Sequence, residues 1–126
     1  MIDCRDLVGV PYKRGGRSLD GMDCLGLCLY MLSRRGVEVP SFPGLHEARD
    51  NDNVTLEMVR SGISATKVES ADEGCILDMR CMGKHHIGYC VGNGMFIHAS
   101  ESSGMVVMDR VDRWRSRIMG VYSVED

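Results

Sequence analysis

Three residues in two short motifs are of the types that carry out nucleophilic catalysis in enzymes. Cys24 lies in the run Asp-Cys-Leu-Gly-Leu at residues 23–27, and two histidines, His86 and His98, follow much later in the chain. A thiolate can attack a carbonyl carbon, and an imidazole beside it can take up and return the proton. If these side chains meet in space, the chain is a cysteine-dependent acyl-transfer enzyme, and we expect a hydrolase.

The sequence around Cys24 predicts a thiol in the first turn of a buried helix. Asp23 is a typical N-cap residue, and residues 24–35 are predicted to form a helix that Gly36 ends, in which every residue from 25 to 32 except Gly26 is apolar. Unpaired N–H groups and the dipole at a helix N-terminus favour negative charge, so we expect a lowered pKa for Cys24. The alternative is that Cys24 is a small buried hydrophobic residue, as most free cysteines are.

The two histidines are predicted to lie on neighbouring strands of a hairpin, with Gly-Asn-Gly at residues 92–94 as its turn. If the hairpin pairs Val91 with Met95, strand alternation places His98 opposite Gly88 and one diagonal step from His86. Because Gly88 has no side chain, the two rings have room to meet. We therefore expect His86 to be the general base and His98 to orient it.

The other two histidines are expected to take no part in the reaction, and a structural role remains the alternative for any single histidine. His85 points to the opposite face of its strand, and His46 lies in a polar loop over residues 41–53.

The elements that must position these residues indicate an α+β domain, because helical signals fill the first half of the chain and strand signals the second. Residues 3–8 fit a short helix, residues 13–21 a glycine-rich loop and residues 54–61 a second helix. Asp109 can cap a further short helix that ends at Trp114. The strand-like runs are residues 66–69, 75–79, 85–91, 95–100, 105–108 and 118–124.

Length and composition predict a single domain over residues 1–126 that needs no stapling metal or disulfide. A net charge of −3 without a long basic block argues against nucleic acid as a partner. No window approaches roughly eighteen apolar residues, so we do not expect the protein to be embedded in a membrane. The charged N-terminus indicates synthesis in the cytosol without a signal peptide, and hence six reduced cysteines.

Two other kinds of cysteine chemistry fit the spacing poorly. Cys24 and Cys28 are separated by three residues, whereas redox pairs favour two. A zinc site is disfavoured because Cys75 and Cys81 lack the close spacing of structural zinc ligands and because alternation separates His85 from His86. We expect neither a metal nor another cofactor. The cysteines assigned to packing are Cys28, Cys75, Cys81 and Cys90, of which Cys90 shares the histidine face, while Cys4 stays unassigned.

Two blocks of the sequence resemble the NlpC-type cell-wall cysteine endopeptidases of the papain-like superfamily. The first block contains residues 9–12, 15–16 and 21–27, and the second is residues 86–99. The combination of the Asp-Cys motif with a histidine-to-histidine interval of twelve residues is specific, and the resemblance extends from Gly9 to the last strand.

This resemblance implies a papain-like α+β fold in which the helix carrying the nucleophile packs on a central antiparallel sheet of about five to six strands. It implies hydrolysis of peptidoglycan stem peptides, typically between γ-D-glutamate and a diamino acid such as diaminopimelate or lysine. By resemblance Cys24 is the nucleophile, His86 the base and His98 the orienting third residue. Tyr12 matches the tyrosine that supports the oxyanion together with the Cys24 N–H, and Asp23 matches an acidic residue that places substrate.

One residue departs from the family pattern: Leu25 stands where serine is usual, which puts in doubt the recognition of a free peptide N-terminus. The Asp-Cys-Leu-Gly-Leu run resembles phage and prophage tail-associated members instead. That likeness implies action in the periplasm or cell wall, delivery by a virion tail or secretion apparatus, and phage tail proteins as partners.

Two alternatives to a peptidase remain open at the level of sequence. One is a non-catalytic tail assembly or binding module that retains the fold. The other is an acyltransferase or amidase on the same scaffold, although such relatives often place the histidine before the cysteine, and here the cysteine comes first.

Overall fold

A long helix packs on a six-stranded antiparallel sheet in this computed structural model, which describes residues 2–37, 65–81 and 83–124. This arrangement confirms the predicted α+β class. The predicted polar loop with His46 and the predicted helix over residues 54–61 lie outside the described residues. No helix among the described residues is long and apolar enough to span a bilayer.

The helices are short apart from the first. They are α1 (Cys24–Arg34) and α2 (Val111–Trp114), with 3₁₀ turns at Arg5–Leu7 and Arg115–Arg117. The strands are β1 (Arg17–Ser18), β2 (Gly21–Met22), β3 (Ala65–Val68), β4 (Cys75–Cys81), β5 (Lys84–Gly92), β6 (Met95–Ser100), β7 (Met105–Arg110) and β8 (Ile118–Val124).

The large sheet has the strand order β3-β8-β4-β5-β6-β7, and every pair of neighbours is antiparallel. All six strands predicted from the sequence are present, and the predicted bounds of β6 and β8 are confirmed residue for residue. The order places the predicted hairpin of β5 and β6 beside β4 on one side and β7 on the other.

Helix α1 begins where the sequence predicts, because Asp23 caps it. The Asp23 Oδ1 accepts a hydrogen bond of 2.7 Å from the Gly26 N–H, one of the donors that a helix start leaves unpaired. At the other end Gly36 adopts a φ of +87°, a conformation that ends a helix at little cost for glycine.

The predicted loop over residues 13–21 is wrong in part, because it contains the small β1–β2 hairpin. This hairpin lies against the start of α1 at very close range. A Cβ on Gly26 would stand 2.0 Å from the carbonyl oxygen of Gly16, so backbone touches backbone at this point. Gly26 is therefore required by the approach of the hairpin, which its place in an apolar helical run does not reveal.

Alternation of side chains along the strands divides the core into two layers, one on each face of the sheet. The helix layer packs between the sheet and α1 and includes Leu27, Met31, Ile87, Tyr89 and Ile97. The Trp114 layer covers the other face and includes Leu77, Met79, Cys90, Phe96 and Trp114.

The turn of the β5–β6 hairpin follows the prediction, but its register does so only in part. Asn93 takes a φ of +56°, as a tight turn requires. Tyr89 pairs with Ile97, in the predicted register, whereas Met95 pairs with Gly92 and not with Val91. A bulge between Cys90 and Gly92 absorbs the difference of one residue.

Candidate active site

One cavity of about 410 Å³ brings together four of the five residues singled out from the sequence. It lies at the start of α1 and across β5, β6 and β7. Its lining includes Tyr12, Cys24, His86, His98, Asp109 and Trp114. The fifth residue, Asp23, caps α1 immediately before Cys24 and is not among the residues that line the cavity.

The Cys24 thiol is almost fully buried, with 3% of the residue exposed, and it lines the cavity. Burial raises its pKa to about 11, the Asp23 carboxylate acts in the same direction, and the backbone amides of Ile87 and Leu25 oppose them. The expected lowering of this pKa is therefore wrong for the unliganded protein, because desolvation outweighs the helix terminus. The resting side chain is a thiol.

The two predicted histidines meet as expected, and a third residue extends the chain of contacts. The His86 Nε2 lies 2.7 Å from the His98 Nδ1, and the His98 Nε2 lies 3.1 Å from the Asp109 Oδ2. The predicted capping role of Asp109 is wrong, because Asp109 belongs to β7 and the N-cap of α2 is Arg110, which makes no side-chain cap bond. Extending the predicted strand by one residue places Asp109 on the face of His98, a diagonal step away.

Aromatic rings hold both imidazoles in place. Trp114 stacks on His86 with 6.0 Å between ring centroids and meets His98 edge-on at 5.3 Å. Phe96 stacks on His98 at 4.8 Å. The room left by Gly88 is filled by Phe96, which would lie 2.6 Å from a Cβ there, and not by the histidine rings as predicted.

Burial keeps both imidazoles neutral at physiological pH. It lowers the pKa of His86 to about 3, and a charge on His98 acts in the same direction. Burial also lowers the pKa of His98, against the opposing effect of the Asp109 carboxylate. The site at rest therefore contains a neutral thiol and two neutral rings.

The depressed pKa of His86 predicts an acid-labile fold. Its unfolded-state pKa is 6.5 and its folded-state pKa about 3, so the unfolded chain binds the extra proton as pH falls below 6.5. The folded state loses no stability through His86 above pH 6.5. Below that pH the free energy of unfolding decreases as the pH falls toward 3, because the unfolded chain takes up the proton first. In calorimetry between pH 7 and about 4.5, above most carboxylate titration, we expect Tm to fall less for His86→Gln than for the wild type. Equal slopes would contradict the assignment.

The Asp23 carboxylate binds three donors of its own chain. Its Oδ1 accepts from Gly26 N–H and from Arg17 Nη1 at 2.8 Å, and its Oδ2 accepts from Gly15 N–H at 2.9 Å. A carboxylate has about four acceptor positions, so these three donors leave about one position on Oδ2. Arg17, which sequence reasoning missed, ties the β1–β2 hairpin to the first turn of α1.

Tyr12 is half-buried and lines the cavity beside Cys24. Burial raises the pKa of Tyr12 to about 12, and negative charge on Cys24 adds to the effect. The hydroxyl group therefore keeps its proton at neutral pH and can donate a hydrogen bond into the cavity.

His85 and Cys81 also line the cavity, although the sequence assigned the first to no role and the second to packing. His85 Nδ1 lies 3.1 Å from Asp78 Oδ1. The other cysteines assigned to packing, Cys28, Cys75 and Cys90, are buried.

Among the described residues no group of three or more metal-ligating side chains is assembled.

Comparison with protein families gives one match over almost the whole chain: the model described as the NlpC/P60 family covers residues 9–123. The chain is 28% identical over 121 residues to the probable peptidoglycan endopeptidase LytE of Bacillus subtilis (strain 168), covering 95% of this chain and 32% of LytE. It is 27% identical over 119 residues to the murein DD-endopeptidase MepS/murein LD-carboxypeptidase of Escherichia coli (strain K12), covering 93% and 57%. The chain thus spans less than two thirds of these curated relatives.

Solved structures share the fold. The NlpC/p60 domain of the peptidoglycan hydrolase SagA superimposes with a TM-score of 0.61 at 23% identity, covering 94% of this chain and 90% of that one. The peptidoglycan hydrolase RipB of Mycobacterium tuberculosis superimposes with a TM-score of 0.62 at 24% identity, covering 96% and 61%. At these identities the superpositions establish the architecture of helix on antiparallel sheet.

Proposed function

Because the chain belongs to the NlpC/P60 family, we propose that it is a cysteine endopeptidase acting on peptidoglycan stem peptides, at the bond between γ-D-glutamate and a diamino acid. Cys24 is the nucleophile, His86 the base and His98 the residue that orients the base. The observation that carries this proposal is the shared cavity, in which a thiol at a helix start lies with a hydrogen-bonded pair of imidazoles.

The neutral resting site determines the order of proton transfers. The His86 Nε2 is engaged by His98, so Nδ1 is the nitrogen left to accept the Cys24 proton as the sulfur attacks the substrate carbonyl. The imidazolium then protonates the leaving amine, and the acyl group remains on sulfur. His86 next removes a proton from water, the hydroxide attacks the thioester, and the proton returns to the departing sulfur.

Two donors stabilise the negative oxygen of each tetrahedral intermediate in this proposal. They are the backbone N–H of Cys24 at the start of α1 and the hydroxyl of Tyr12, which stays protonated. The backbone N–H of Ile87 hydrogen bonds to a charged Cys24 sulfur. It therefore stabilises the thiolate that leaves when the thioester is hydrolysed.

Substrate recognition in this proposal uses the acceptor position of the Asp23 carboxylate that is not taken by donors of its own chain. The remaining acceptor position on its Oδ2 suits an N–H or ammonium donor of the stem peptide. Leu25, which is buried, offers no hydroxyl to such a group. In this proposal Asp23 therefore both caps the start of α1 and offers one acceptor position to the substrate.

The place of action belongs to the same proposal. Relatives are named as peptidoglycan endopeptidases, which supports action at the cell wall or in the periplasm. The Asp-Cys-Leu-Gly-Leu run supports a tail-associated protein, with phage tail proteins as partners and a virion tail or secretion apparatus for delivery.

Purified muropeptides test this function directly. We expect the protein to convert them to two fragments whose masses sum to the substrate plus one water, with the new amine on the diamino acid. A strong chelator is expected to leave the rate unchanged, since the chemistry needs only sulfur and imidazole. Products in which the acyl group is joined to another acceptor, and not to water, would show acyl transfer instead. Binding of muropeptides without cleavage would contradict the proposed peptidase activity and favour a wall-binding module.

A further inference from the structure

We propose that Asp109 is a positioning residue that fixes which nitrogen of each imidazole carries a proton and so leaves the His86 Nδ1 free to act as the base. The inference rests on the proposed function, because it assigns a purpose to His86. Its evidence is the chain of three side chains on β5, β6 and β7.

The direction of the chain starts at the carboxylate. An ionised carboxylate can only accept hydrogen bonds, so the His98 Nε2, 3.1 Å away, must carry the proton of that contact. A neutral imidazole has one N–H group. The His98 Nδ1 is therefore unprotonated and can only accept a hydrogen bond.

The same rule determines the state of the next ring. The His98 Nδ1 lies 2.7 Å from the His86 Nε2, so the latter must be the donor. With its single proton on Nε2, neutral His86 has a lone pair on Nδ1. That atom is the one the reaction requires to be unprotonated.

Without Asp109 the two rings could satisfy each other equally well in the opposite direction. His98 would then donate from Nδ1, the His86 Nε2 would accept, and the His86 Nδ1 would carry the proton. The base would be blocked in that state. The carboxylate thus selects one of two arrangements that the ring pair alone leaves equivalent.

Within the part of the chain that the structure describes, the hydrogen-bond partner of the His98 Nε2 is Asp109. The His98 side chain is only 3% exposed, so bulk water does not reach it freely, whereas the side chain of Asp109 is 28% exposed. The titratable groups that face His98 are His86 from β5 and Asp109 from β7. Trp114 from α2 and Phe96 from β6 pack on its ring and hold its orientation.

Nitrogen-15 NMR of the imidazole groups tests the inference without any activity measurement. In the wild type at neutral pH we expect both histidines to be protonated at Nε2 and unprotonated at Nδ1. A proton on the Nδ1 of either ring would overturn the proposal. The spectrum needs no substrate. The tautomers can therefore be determined even if the protein does not cleave muropeptides, so failure of the proposed function and failure of this inference are distinguishable.

Variants at Asp109 add a catalytic readout. An asparagine can donate or accept at the same place, so Asp109→Asn is expected to populate the reversed tautomers and to reduce kcat about tenfold to hundredfold with little change in KM. Asp109→Glu should recover the wild-type spectrum and part of kcat. The matched control is Asp112→Asn, an exposed aspartate on α2 paired with Arg115 of the following 3₁₀ turn, which should change neither the spectrum nor kcat. An Asp109→Asn protein with the wild-type tautomers would overturn the proposal.

Discussion

Cys24→Ala is expected to reduce the rate of stem-peptide hydrolysis at least about ten-thousandfold, because loss of a nucleophile removes the covalent route and leaves only binding and oxyanion stabilisation. We expect neither neighbouring thiol to substitute. Cys28 lies one turn further along α1 and is fully buried, and Cys81, which also lines the cavity, lies on β4 and not at a helix start. The rate is measured by release of amine from a purified muropeptide.

Two controls separate lost chemistry from lost structure. Cys24→Ala removes a single buried atom, so the free energy of unfolding should change by about 1 kcal/mol or less. Cys81→Ser alters the other cysteine on the cavity wall and should retain most of the activity. Retention of more than a tenth of the wild-type rate by Cys24→Ala would show that a different group attacks the substrate.

Gly26→Ala is expected to destabilise the protein by about 3 kcal/mol, a change of more than a hundredfold in the ratio of folded to unfolded chain. The new Cβ would lie 2.0 Å from the Gly16 carbonyl oxygen and 3.2 Å from both the Arg17 Nη1 and the Asp23 Oδ1. None of these atoms can move away without breaking the bonds that join Arg17, Asp23 and the helix start. Alanine's better helix propensity, about 1 kcal/mol, opposes only part of this cost.

Chemical denaturation followed by circular dichroism measures the effect. The matched control is Ser33→Ala, an exposed position on the same helix where alanine should be neutral or slightly stabilising. An unchanged unfolding midpoint for Gly26→Ala would mean that the β1–β2 hairpin does not press on α1 as the structure shows.

Local rules account for the parts of the fold that the sequence predicts well. Asp23 and Gly36 mark the two ends of α1 because capping and left-handed termination depend on one residue each. The turn at residues 92–94 is similarly local, but the predicted pairing of Tyr89 with Ile97, from which the meeting of His86 and His98 follows, also depends on the bulge between Cys90 and Gly92, which the sequence did not predict.

The parts that sequence reasoning missed depend on contacts between distant segments. Asp109 has the pattern of a helix cap, and only the lateral pairing of β6 with β7 reveals that it faces His98. Arg17 reads as a loop residue until the hairpin folds back on Asp23. The pKa of Cys24 depends on how completely the cavity wall encloses the sulfur, which a helix-terminus argument does not contain.

The division of the core into two layers has a consequence for when this protein can work. Cys24 belongs to the helix layer, whereas His86 rests on the indole of the opposite layer, so each half of the reacting pair takes its place from a different body of packing. Local openings in proteins need less energy than global unfolding. A brief loosening around Trp114 would separate sulfur from imidazole while the helix side remained intact. The alignment of the sulfur with the imidazole therefore depends on both layers, and opening of either layer is enough to interrupt catalysis.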